Sequence, residues 1–210
     1  AVDNKLAQEG VSKDEVQGIG VGVPGPVDSE GIVHRCVNLG WGIVNVAEEL
    51  GSLTGLTVKV GNDANVAALG EMWQGGGKGC DNVVFVTLGT GVGGGIIVGG
   101  KLLSGVHGAG GEIGHIKMNP VETEPCGCGK YGCLEQYASA TGIVREAKRS
   151  LAESDPPSVL RDVDNVTAKA VFDCAKAGDS LAIEVVDFFG ETLGRALAIV
   201  SCVCDPEVFV

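Results

Sequence analysis

The spacing of apolar positions divides the chain into short segments of helical and strand period. Val2, Leu6 and Ala7 recur at helical intervals and stop at Gly10, where a left-handed C-cap costs little. Residues 18–28, GIGVGVPGPVD, alternate small and branched apolar residues and end on two prolines, which predicts a buried strand running into a loop. Ile32 to Val37 reads as a short hairpin strand and Asn38-Leu39-Gly40-Trp41 as the turn after it. Val46 to Gly55 has the period of an amphipathic helix with Ala47, Leu50 and Leu53 on one face, and Thr57 to Val60 is the next strand. That strand ends at Gly61-Asn62-Asp63 and gives way at once to ANVAALGEMWQGG, a helical run with Val66, Ala67, Leu69, Gly70 and Trp73 available for packing.

The run Gly75-Gly76-Gly77-Lys78-Gly79 predicts a hinge or boundary, dividing residues 1–76 from residues 77–210. Beyond it, Asn82 to Leu88 and Gly94 to Val98 are apolar strands joined by a glycine-rich turn, with Lys101 to Leu103 as a third strand. Ala138 to Leu151, Val166 to Ala177 and Leu181 to Val203 have helical period, separated by a surface loop at 155–165 and a break at Gly178-Asp179. Asp205-Pro206 stops the last helix, and residues 207–210 read as the start of a strand. The uncharged run from Val83 to Gly100 is long enough to span a membrane, but its many glycines favour strands and a tight turn.

Composition narrows this picture. With 210 residues, 44% hydrophobic and 4% aromatic, the chain has the size and content of a Val/Ala/Gly-rich α/β protein. A formal charge of −12 opposes nucleic acid and anionic membrane but leaves a neutral polyol free to bind. The polar opening AVDNKLAQEG has no signal-peptide pattern, and eight cysteines without a disulfide framework fit a reducing compartment, so the expectation is a cytoplasmic protein.

The stretch from His107 to Tyr137 concentrates the chemistry. Cys126, Cys128 and Cys133 stand close together in a loop with Gly127, Gly129 and Gly132, a spacing suited to tetrahedral zinc. His115 is taken as the fourth ligand in preference to His107. One histidine and three cysteines make a closed set without room for a catalytic water, hence a structural zinc site. Glu112 and Glu135 flank it, and paired carboxylates on a metal-fixed loop suit adjacent sugar hydroxyls. Asp63, at a strand end and a helix start, caps the helix or projects into a ligand crevice, and both roles are compatible. Asn38 either faces a sugar or satisfies its own turn. In Gly89-Thr90-Gly91-Val92-Gly93, bare N–H groups and a hydroxyl suit a phosphate, although hairpins use glycine for other reasons.

GEIGH followed by CGCGKYGCLE resembles the zinc and sugar segment of the ROK family (repressor, open reading frame, kinase), and the whole chain is similar to its bacterial glucokinase branch. The resemblance implies an actin-like, ribonuclease-H-like α/β fold of two domains with a structural zinc loop. Residues 1–76 would be the C-terminal part of the small domain, and 77–210 the large domain. It implies transfer of the ATP γ-phosphate, with Mg²⁺, to the 6-hydroxyl of glucose, placing the protein in glycolysis. On this likeness Asp63 is the catalytic base, and Asn62, Asp63, Glu112, His115 and Glu135 bind the sugar; Asn38, from the turn reading, is added to that sugar site. His115, Cys126, Cys128 and Cys133 bind zinc, and Gly89, Thr90, Gly91 and Gly93 bind nucleotide phosphate. The family's D-x-G-G-T first phosphate loop and its adenosine-binding turn do not occur in the sequence. The expectation is therefore a chain incomplete at both ends, inactive as it stands and a homodimer when complete. A kinase for N-acetylmannosamine or fructose, a sugar-responsive ROK repressor, or a zinc-stabilised sugar-binding module are the alternatives.

Overall fold

The computed structural model describes residues 2–34, 36, 39–153 and 157–210; Asn38 lies outside them. Helix α1 (Val2–Glu9) ends at Gly10 as its spacing predicts. Strand β1 (Ile19–Val23) runs into the Pro24-Gly25-Pro26 turn, and β2 (Ile32–Val33) pairs antiparallel with β3 (Val44–Asn45). Helix α2 (Val46–Thr54) is capped by Asn45, whose Oδ1 accepts the Glu48 N–H at 3.0 Å. Its packed stripe passes through Val46, Ala47, Leu50 and Thr54, so Leu53, expected on the apolar face, falls at the edge and is 80% exposed. Strand β4 (Val58–Asn62) lies parallel to β1, with Val23 opposite Asn62. β1 is fully buried only at Val23, because α2 covers one face of this two-stranded sheet while Gly20 and Gly22 face away from it.

Helix α3 (Asp63–Gln74) packs the opposite way from the sequence expectation. Val66, Ala67, Leu69, Gly70 and Trp73 face solvent, with Trp73 72% exposed, while Ala64, Asn65 and Ala68 are buried. The reason lies in what α3 packs against. Strands β5 (Val83–Leu88) and β6 (Val92–Val98) form an antiparallel hairpin, and β6 presents Gly93 and Gly95 to the helix, while Gly94 faces Gly111 and Ile113 on the other side. A bare strand lets the helix backbone come close only if its own side chains there are small, so alanines go inward and the bulky residues stay out. The same helix also touches β1 and β4, so it is shared by both sheets.

The larger sheet runs β7-β6-β5-β8, with β7 (Lys101–Leu102) antiparallel to β6 and β8 (Val208–Phe209) parallel to β5. The glycine run after α3 is a hydrogen-bonded turn: Gly75 and Gly77 N–H donate to the Glu71 carbonyl, and Gly76 N–H to its carboxylate. Helices α4 (Glu135–Ala138), α5 (Ala140–Glu153), α6 (Ala168–Lys176) and α7 (Ser180–Cys204) follow. Ile143, Ala147, Val171, Leu181 and Val185 form a core among α5, α6 and α7. The expected surface loop at 155–165 contributes Leu160 to that core through a 3₁₀ turn, Val159–Asp162. Among the described residues no helix is long and apolar enough to cross a membrane.

Gly95 is where α3 and β6 come closest. A Cβ there would stand 2.5 Å from Ala68 Cβ and 3.1 Å from the Ala64 carbonyl oxygen. Gly95→Ala is expected to destabilise the protein by about 1–3 kcal/mol through overpacking, read as a lower urea midpoint at unchanged m. An unchanged midpoint would show that the helix is free to move away.

Candidate functional site

The strand and helix ends converge on one cleft of about 980 Å³. Both β1 and β4 deliver their C-terminal ends to it, where open α/β sheets bind ligands, so Pro24, Gly25 and Pro26 form one wall beside Asn62 and Asp63. The β5–β6 turn, Gly89, Thr90 and Gly91, forms another, and Glu112, His115, Cys128 and Glu135 close it from the metal-loop side. Asn62, not Asp63, caps α3: its Oδ1 accepts the Asn65 N–H at 3.1 Å, while its Nδ2 donates to the Gly25 carbonyl at 3.2 Å. Asp63 is the first helical residue, one oxygen accepting the Ala64 N–H at 2.8 Å and the side chain exposed to the cleft.

The four candidate metal ligands come together. The donor atoms of His115, Cys126, Cys128 and Cys133 all lie within 4.8 Å of one another. The Cys128 and Cys133 sulfurs are 3.7 Å apart, and Cys126 Sγ is 4.0 Å from His115 Nδ1. Two sulfurs bound at ~2.3 Å to one tetrahedral ion stand ~3.8 Å apart, so the residues fit zinc. Burial pushes the Cys126 thiol up to about 12 and raises Cys133 as well. Burial also opposes ionisation of Cys128, but the Lys130 backbone N–H and the two neighbouring thiols outweigh it and lower that group. Three thiolates at these separations need a cation among them. His115 Nε2, on the other side of the ring, is 3.8 Å from a Glu112 oxygen.

Glu135 joins the metal loop to the glycine turn. Its Oε2 accepts the Val92 N–H at 3.0 Å, and its Oε1 accepts from the Cys126 thiol at 3.6 Å. The carboxylate lies 2.2 Å from where a Cβ on residue 91 would stand, so a side chain there would push Glu135 off the Val92 N–H. The turn's carbonyls are held from α5, Gly89 by the Ala140 N–H and Thr90 by the Thr141 hydroxyl, each at 2.8 Å.

Several site residues carried no signal that the sequence reading used. Gln136 is buried behind the metal loop; its Oε1 accepts the Gly132 and Cys133 N–H groups at 2.8 and 3.1 Å, and its Nε2 donates to the Glu124 carbonyl. Glu122, with its side chain 3% exposed, meets Arg145 at 3.1 Å, Arg149 at 3.0 Å and the Tyr137 hydroxyl at 2.7 Å. Arg149 is the main reason that its carboxyl titrates far below the usual range, and Arg149 is raised in return. This network fastens the loop to α5. Lys130 is the sole Lys or Arg among the described cleft residues, against Asp63, Glu112 and Glu135, so the cleft suits neutral hydroxyls better than bare phosphate. Its signal was available, since it stands inside CGCGKYGC.

A family model described as the ROK family matches residues 1–210. The chain is 45% identical over 214 residues to the glucokinase of Halalkalibacterium halodurans, covering 100% of this chain and 65% of that relative's length. A solved ROK family glucokinase from Streptomyces griseus, in complex with glucose and AMPPNP, superposes with a TM-score of 0.80 at 35% identity, over 99% of this chain and 68% of its own. A ROK family transcriptional regulator, a homologue of the E. coli MLC protein, superposes at 0.87 with 33% identity, over 99% of this chain and 52% of its own.

The Glu122 network makes a prediction in acid. A carboxyl held below its ordinary value of 4.5 contributes stability that is fully present above about that pH and is lost as pH falls toward the folded value. Glu122→Gln should cost about 1–3 kcal/mol at pH 7, because it removes the buried acceptor shared by two arginines that keep Glu124 and Glu146, and should flatten the decline in unfolding free energy below pH 4.5. Parallel acid limbs for the wild type and the variant, measured by urea unfolding, would rule the network out as their cause.

Proposed function

The chain belongs to the ROK family, and from that premise we propose that the protein is a sugar kinase of glucokinase type, moving the γ-phosphate of Mg·ATP to the 6-hydroxyl of glucose. The observation that carries this reading is the convergence of Asp63, Glu112, His115 and Glu135 on a cleft whose opposite wall is the Gly89–Gly91 turn. In the proposed reaction the sugar oxygen bonds to the γ-phosphorus as the bond to the β-phosphate oxygen breaks, and Asp63 accepts the hydroxyl proton. Its Oδ1 is anchored by the Ala64 N–H, leaving Oδ2 for the substrate. A positioned carboxylate of this kind supplies ~10²–10⁴-fold. Asn62, Glu112, His115 and Glu135 hold the other hydroxyls, while the N–H groups of the turn and Mg²⁺ meet the phosphates. Asn38 is kept in the proposed sugar site on its place in the turn of the sequence alone, since it lies outside the described residues.

Zinc on His115, Cys126, Cys128 and Cys133 would fix the loop that carries the sugar ligands, without entering the reaction. The division into residues 1–76 and 77–210 is kept in this proposal, with α3 as the wall that both parts share. Homodimerisation and a cytoplasmic location belong to the same reading. Glucose is preferred over N-acetylmannosamine or fructose on the 45% identity to a glucokinase. A sugar-responsive repressor is the second reading, favoured by the 0.87 TM-score to a transcriptional regulator. Asp63 beside the glycine turn, and a charge of −12, favour the kinase.

Three outcomes are expected. A coupled assay of the full-length protein with Mg·ATP should give faster turnover on glucose than on N-acetylmannosamine or fructose; sugar-dependent DNA binding without turnover would favour the repressor. Asp63→Asn should lower kcat by ~10²-fold or more with little change in sugar affinity. A loss confined to KM would make Asp63 a ligand only. Metal analysis should find one zinc per chain, with Cys128→Ser losing both zinc and sugar affinity. Full sugar affinity in a zinc-free Cys128→Ser protein would separate the loop from the sugar site.

A further inference from the structure

We infer that Thr141 is the positioning residue for the phosphate turn, setting the orientation of the peptide that would present the Gly91 N–H to a nucleotide phosphate. The inference rests on the kinase reading above and extends it to a residue outside the cleft.

The β5–β6 turn lines the cleft on one side and meets the start of α5 on the other. Two of its carbonyls are engaged from that second side, Gly89 by the Ala140 N–H and Thr90 by the Thr141 hydroxyl. A trans peptide points its N–H away from its C=O. No cis peptide occurs among the described residues, so drawing the Gly89 and Thr90 carbonyls toward α5 turns the N–H groups of Thr90 and Gly91 the other way, toward the cleft.

The Thr141 proton is committed to this bond. A hydroxyl at a helix start would ordinarily cap the helix, but Ser139 does so here, its Oγ accepting the Gly142 N–H at 2.9 Å. Ser139 Oγ also lies 2.9 Å from Thr141 Oγ1. Since the single Thr141 proton goes to the Thr90 carbonyl, Ser139 donates to Thr141 and fixes its rotamer. The Ser139 side chain is fully buried, so its own hydroxyl has no water to turn to, while Thr141 stands at the surface. On the far side of the turn Glu135 holds the Val92 N–H, so the peptide between residues 90 and 91 has a held peptide on either side of it.

The test is Thr141→Val, which keeps the side-chain shape and removes the proton, beside Thr141→Ser, which restores it. In the full-length protein, Val should raise KM for Mg·ATP about tenfold, the worth of one hydrogen bond, with glucose affinity and zinc content unchanged. Ser should recover most of the loss. An unchanged KM for Mg·ATP in the Val variant overturns the inference, as does equal loss of glucose and nucleotide affinity. The kinase reading fails separately, if the wild type neither binds nor turns over glucose with Mg·ATP. Should the Val variant not fold, the wild type still decides: a non-hydrolysable ATP analogue should shift the Gly91 amide resonance, and a stationary resonance overturns the inference.

Discussion

Close contact between α3 and the bare stretch of β6 is the constraint from which the rest of the site follows. Two glycines on one face of the strand, Gly93 and Gly95, let a helix lie on it at a distance that no side chain would permit, and the helix answers with alanines. Because α3 starts at Asp63, that contact sets where the carboxylate stands relative to the turn at the other end of the hairpin. The same helix touches β1 and β4, so both sheets present their ends to one cleft. Packing of this kind does not tolerate gradual adjustment, since an added methyl meets backbone and Cβ atoms instead of a flexible side-chain tip.

Hydrogen bonds extend that frame to the metal loop. Glu135 holds the Val92 N–H at the start of β6, Gln136 ties the loop backbone to α4, and Glu122 with its arginines ties the loop to α5. Each is a polar group with most of its bonding capacity used by the protein, which makes the assembly orderly and its loss costly. The four soft and nitrogen donors sit at the centre of this arrangement. The loop is thus held both by the ligand set suited to zinc and by bonds that do not depend on a metal.

The cleft has an uneven chemistry. One end offers carboxylates and an imidazole, partners for hydroxyl groups, and the other offers backbone N–H groups on glycine. Carboxylates repel phosphate, so the two ends suit two different parts of a reaction and an anion needs its own cation to enter. This division suits the proposed kinase, which moves a phosphoryl group from a charged nucleotide to a neutral sugar.

The sequence by itself determined the elements and the reactive groups. Helix and strand periods, the glycine and proline stops, the cysteine spacing and the motif GEIGH with CGCGKYGCLE are local, and local patterns survive in a linear reading. It also placed Asp63 at a strand end, where both the capping and the crevice readings were open. Tertiary structure decided what depends on partners far along the chain. Which face of α3 turns inward was settled by the glycines of β6, so Trp73 lies outside although its period allowed burial. Asn62 took the cap and left Asp63 to the cleft. Thr141, Gln136 and Glu122 act only through groups that folding brings beside them, and no spacing in the sequence encodes those contacts. Composition and period record what a residue prefers, while its role here was fixed by which neighbour was small enough, or polar enough, to meet it.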